Sequence, residues 1–191
     1  MGSWGALMML KTAIIFLLFS STLHGKIEIV HRPMPANVID TAMNYRNLID
    51  VGNKKTAKEI QKFLHSVGLK GNQPYCQAFV YYCHFVNGIT EFKTGLANGY
   101  YASLKKKYGS TKGKVENKQG VIVWKYPNSV NGHDGFMLRI VRAGYVQTLE
   151  GNTSWDNSSP DGRVYAGKKG IFVKIRKLGK LGQMELRGII Q

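Results

Sequence analysis

Apolar residues change period along the chain, and the change divides it into a helical half and a stranded half. Lys26 to Val30 reads as a short strand or extended arm, closed by Pro33 and Pro35. From Ala36 to Leu48 the spacing is helical, with Val38, Ala42, Tyr45 and the Leu48–Ile49 pair on one stripe, and Val51-Gly52-Asn53 forms a turn. Thr56 to Val67 repeats the pattern. Ala57, Ile60, Phe63, Leu64 and Val67 point inward and four lysines outward, and Gly68 stops the helix. A third helix starts just after Pro74. There Cys76, Phe79, Val80, Cys83 and Val86 share a face, and Asn87-Gly88 supplies the stop.

Residues 89–119 lack a period, and the lysine-rich run from Lys105 to Lys118 reads as a mobile basic loop. From Gly120 the period falls to two. Val121 to Trp124, His133 to Val141, Tyr145 to Glu150, Arg163–Val164, Gly170 to Ile175 and residues 184–190 are the expected strands. Helices first and short strands afterwards predict an α+β fold, N-terminal helices packed on a mostly antiparallel sheet.

Ala6 to Leu23 is apolar apart from Lys11 and a few hydroxyls, so residues 1–25 read as a secretory signal, with a retained N-terminal anchor as the alternative. Residues 26–191 then form a single domain. The formal charge of +16 draws the chain toward polyanions, whether nucleic acid, anionic lipid or anionic cell-wall polymers. Its lysines are dispersed and no recognition-helix signature is present, which argues against a specific nucleic acid. Two cysteines seven residues apart on one helix stand about 10 Å apart, beyond disulfide reach. No zinc or other metal spacing occurs.

Cys76 is the first residue to explain. In the first turn of a helix, unpaired N–H groups and the positive end of the dipole favour a thiolate. Alternation in the strand Gly132–Ile140 sets Asp134 with Phe136, Leu138 and Ile140, and His133 on the other face beside Gly135, which leaves open space over the imidazole. If the hairpin turns so that Val141 faces Gly144, His133 falls opposite Asn152 with Glu150 diagonal, and all three converge. A slip of one residue would break that convergence. The set is a nucleophile (Cys76), a base (His133) and an orienter (Glu150 or Asn152), with the Cys76 N–H as one oxyanion donor and Gln73 or Tyr75 as candidates for a second.

Tyr75-Cys76-Gln-Ala-Phe-Val80, Gly132-His133-Asp-Gly-Phe136 and Leu149-Glu150-Gly151-Asn152-Thr153 together resemble the CHAP group of cysteine peptidoglycan hydrolases, relatives of the NlpC/P60 and papain-like folds. Matching blocks run from about Ala36 to Ile175. The resemblance implies a papain-like fold and amidase or endopeptidase cleavage of peptidoglycan amide bonds. Cys76, His133 and Glu150 or Asn152 would be the working residues, in a secreted or envelope-located monomer needing no cofactor. Asp134 departs from the family, which tends to have an uncharged residue after the His; it is expected to face away from the sulfur.

Simpler roles stand beside these. Cys83 and Trp124 read as core, and His31, His65 and His84 as surface or packing residues. Trp155 either stacks on a sugar or peptide stem at the cleft mouth or caps the core. Lys168, Lys169, Lys174, Arg176, Lys177 and Lys180 read as a solvated face, attraction to an anionic wall being their functional alternative. The competing function is a non-enzymatic basic cell-surface or polyanion-binding protein on the same fold.

Overall fold

The strands are β1 (Ile27–Val30), β2 (Thr111–Gly113), β3 (Gly120–Lys125), β4 (Gly132–Arg142), β5 (Tyr145–Ser154), β6 (Lys169–Lys177), β7 (Lys180–Leu181) and β8 (Met184–Ile190). They join in one sheet of order β2-β1-β8-β3-β4-β5-β6, with β7 paired to β8. Every pairing is antiparallel except β1 with β8. Among the described residues four helices accompany it: α1 (Ala36–Met43), α2 (Lys58–Ser66), α3 (Cys76–Phe85) and α4 (Ala97–Tyr108). This computed structural model describes residues 26–50, 57–156 and 168–191. The expected α+β class with a mostly antiparallel sheet is therefore observed. The leader, the Val51-Gly52-Asn53 turn and the Arg163–Val164 strand lie outside the described residues.

Strand alternation sorts the sheet into two faces. Val121, Val123, Phe136, Leu149, Ile171 and Val173 meet the helices and build the main core with Phe63, Phe79, Tyr100 and Leu104. Ile122, Trp124, Met137, Val146 and Ile189 form a smaller cluster on the far face. Rings knit α3 to the sheet, with Phe79 edge-on to Phe136 at 5.7 Å and His84 stacked on Phe136 at 6.0 Å. Gly151 permits the approach, since a Cβ there would stand 3.1 Å from the Phe79 Cβ. No described helix is long and apolar enough to cross a membrane.

Three local expectations change. The stretch read as a basic loop contains α4, because Ala97, Tyr100, Tyr101 and Leu104 make a buried helical stripe that the lysine run obscures. Lys105, Lys106 and Lys107 occupy its last turn, where cations suit the helix dipole. α1 stops at Met43 rather than Leu48; beyond it Asn47 N–H and Leu48 C=O bond to Ile171, so that end of the segment serves the sheet edge. Val86, placed on the inward face of α3, is 47% exposed because the helix has ended.

Candidate active site

β4 and β5 are joined by a two-residue turn at Ala143-Gly144, with Arg142 opposite Tyr145, one residue further along the chain than the Val141–Gly144 pairing expected from sequence. Carried unbroken along the strands, that pairing would have set His133 opposite Ser154, two residues from the expected Asn152 and farther from Glu150. Register shifts between Met137 and Arg139 and between Ile140 and Arg142 undo it, so Phe136 faces Leu149, as the sequence reading required. His133 and Glu150 thus emerge on one face, and the His133 Nε2–H donates to Glu150 Oε2 at 3.0 Å.

Glu150 has no exposed surface, and four donors hold it. Besides His133, Thr148 Oγ1–H donates to Oε1 at 2.6 Å, Arg176 Nε–H to Oε1 at 2.7 Å and a second Arg176 nitrogen to Oε2 at 2.6 Å. Burial alone would raise its pKa, but the Arg176 fork and His133 outweigh burial and hold the carboxylate well below the usual range. Burial likewise opposes a charged His133. Cys76 and Glu150 overcome that and raise the imidazole to about 10. With Nε2 committed to Glu150, Nδ1 is the ring nitrogen left for Cys76. Trp124 stacks beneath the imidazole at 6.1 Å and limits its rotation.

Cys76 begins α3, so the N–H groups of its first turn have no intrahelical acceptor. Its side chain borders a cleft of about 970 Å³ that His133, Asn152, Gln73 and Arg176 also line. Such an arrangement provides a sulfur nucleophile, a general base or acid with a fixed tautomer, and amide donors for a developing oxyanion. Cys83 has none of this; it is fully buried, and burial pushes its thiol well up. Among the described residues, no group of three or more His, Cys, Asp or Glu side chains could hold a metal ion.

The sequence-derived set divides here. Cys76, His133 and Glu150 come together, Glu150 rather than Asn152 holds the ring, and Asn152 lines the cleft in a left-handed conformation at φ 56°. Gln73 also lines the cleft, whereas the Tyr75 side chain is fully buried and its hydroxyl donates to Asp50 Oδ1 at 2.7 Å. Trp155 is not among the cleft-lining residues, and its N–H bonds the Lys168 carbonyl at 3.0 Å.

Gly135 leaves no room for a substrate over the imidazole. A Cβ there would stand 2.7 Å from Glu150 Cγ, so the glycine makes space for the carboxylate instead. Two residues assigned to a solvated face turn inward: the partly buried Arg176 clamps Glu150, and the fully buried Lys174 donates to the Ser154 carbonyl at 2.5 Å and pairs with Asp156 at 2.7 Å. Their signal was available in the alternation of β6, which sets Lys174 opposite Thr148 and Arg176 opposite Val146 on the Glu150 face.

Asp134 is fully buried beside the site, with neither carboxylate oxygen hydrogen-bonded. Strand alternation sets it on the helix-side face with Phe136, as the sequence reading expected. No protein-family model, curated protein or solved structure matches the chain.

Proposed function

We propose that the chain is a papain-like, CHAP-type cysteine hydrolase that cleaves amide bonds of peptidoglycan through an acyl-enzyme. The observation that carries the chemistry is the bond from His133 Nε2 to a fully buried Glu150 clamped by Arg176, in a cleft that Cys76 and His133 line. The Cys76 sulfur attacks the amide carbonyl and the oxyanion takes N–H donors of the first turn of α3. The His133 imidazolium then gives its proton to the leaving amine, and the neutral ring draws a proton from the water that hydrolyses the thioester. Glu150 remains ionised throughout and keeps the ring oriented.

The motif resemblance around Cys76, His133 and Glu150 supports peptidoglycan as the substrate. A charge of +16 is compatible with attraction to anionic wall polymers, and the apolar leader with export to the envelope. We expect Cys76→Ala and His133→Ala each to lower digestion of purified cell walls by at least about a thousandfold. Thermal midpoints should change little for Cys76→Ala. Mass spectrometry of the released fragments identifies the bond cut. Wild-type protein that binds walls in a salt-sensitive way but releases no fragment would instead mark the non-enzymatic polyanion-binding reading.

A further inference from the structure

Between α2 and the end of α3 runs a second groove, of about 660 Å³, apart from the cleft at Cys76. Its floor is aromatic. Tyr81 and Phe85, one helical turn apart on α3, stack with centroids 6.1 Å apart and planes 21° from parallel, and Tyr82 also lines the groove. Tyr81 is buried, but Phe85 stays 46% exposed, and an exposed apolar surface rimmed by polar groups marks a binding groove. Each wall carries a lysine: Lys62 on α2, with His65 beside it, and Lys93 on the segment between α3 and α4. Among the described residues no acid lines the groove and neither lysine forms an ion pair. Of the acids nearest in sequence, Glu59 lies outside the groove, and Glu91 is taken up by Arg32, Lys107 and Tyr108.

We propose that this groove binds an acidic glycan, a sugar chain carrying carboxylate groups. A sugar ring has an apolar face of C–H groups that covers an exposed aromatic ring, and its carboxylate edge meets the lysines of the two walls. A single nucleic-acid strand could also stack its bases, but it needs a basic track over about four or more nucleotides, and this groove offers two lysines and no arginine. Ser66 and Lys93 line the groove, whereas Leu69 and Gly95, two or three residues on, line the cleft, so one ridge divides the two openings. The ridge is closely packed, since a Cβ on Gly95 would stand 2.7 Å from Leu69 Cδ1. A chain seated in the groove therefore lies beside the cleft. The site stands independently of the hydrolase reading; only its use, holding a wall polymer next to Cys76, rests on that reading.

The test is fluorescence anisotropy with a labelled oligogalacturonide, at low and at near-physiological salt. It compares wild type, Phe85→Ala and the double variant Lys62→Gln/Lys93→Gln, with a labelled malto-oligosaccharide and an oligothymidylate as the other probes. Wild type should bind the oligogalacturonide and not the neutral sugar. Phe85→Ala should weaken binding about tenfold at either salt. The double variant should weaken it about tenfold at low salt and less at high salt, where the lysines are screened. Unchanged affinity in both variants, or equal binding of the neutral sugar, would overturn the inference. So would an oligothymidylate that binds more tightly than the oligogalacturonide and is lost in the same variants, since the groove would then belong to nucleic acid. Binding with the expected losses but no wall digestion by wild type would sink the hydrolase reading and leave the groove standing; digestion without glycan binding would do the reverse. Thermal midpoints verify folding, and the double variant, which changes two exposed side chains, decides the matter if Phe85→Ala is unstable.

Discussion

Glu150 and Asp134 are two carboxyls buried to the same degree, each acting on His133, and they titrate in opposite directions. Glu150 accepts four hydrogen bonds, two from a guanidinium. Asp134 accepts none that is fully formed, although Cys76 and its own N–H favour its charge. Burial raises both, so the difference lies in what replaces the lost water. At Glu150 a fork of Arg nitrogens replaces it; at Asp134 no formed hydrogen bond does. One carboxylate becomes a fixed charge that orients a base, and the other becomes a group with two accessible states.

The sharpest way to break this contrast is Glu150→Gln. It leaves the partly buried Arg176 without its carboxylate and should lower stability by about 2–4 kcal/mol in denaturant unfolding at neutral pH. The matching Asp134→Asn should show no such loss, and a loss of equal size would mean that the two sites do not differ.

The pH dependence of stability sharpens it further. The folded pKa of Asp134 is raised, so the native state binds the proton more tightly and wild type loses stability as pH rises from about 4 to about 7. Asp134→Asn should flatten that window, by at most about 1.4 kcal/mol per pH unit. Glu150 acts with the opposite sign. Its pKa is depressed, so its contribution is present above pH 4.5 and is lost as acid protonates it. His133, raised to about 10, contributes fully below 6.5 and loses its contribution toward 10.

Gly135→Ala should cost about 1–3 kcal/mol, since its methyl would meet Glu150 Cγ at 2.7 Å and the Leu149 carbonyl at 2.8 Å. A displaced Glu150 should also make wall digestion fall more than stability does. The smallest effect expected is from Thr148→Val, which removes one donor and should cost about 1–2 kcal/mol, read as a shift in denaturant midpoint without a change in slope.

Local patterns carried much of the fold and the centre of the site. The period of three to four placed α2 and α3 to within a few residues, and alternation placed β3, β4, β5, β6 and β8. The Cys76 helix start and the His133 and Glu150 faces were legible for the same reason, since each depends on neighbours in sequence. α4 was missed because three consecutive lysines and two glycines nearby outweighed a four-residue apolar stripe. The hairpin is the instructive case: the expected turn was wrong by one residue, and two bulges restored the register that the site needs.

By itself, then, the amino-acid order determined which residues begin a helix, which share a strand face, and that a Cys, a His and an acid could meet. Only the tertiary structure decided that Arg176 and Thr148 complete the shell around Glu150, that Glu150 rather than Asn152 takes the ring, and that Asp134 is sealed from solvent without a hydrogen-bond partner. The reason is physical. Helical and strand periods are set by the covalent chain, whereas the dielectric and the donors around a buried charge are set by whichever strands and helix ends pack beside it.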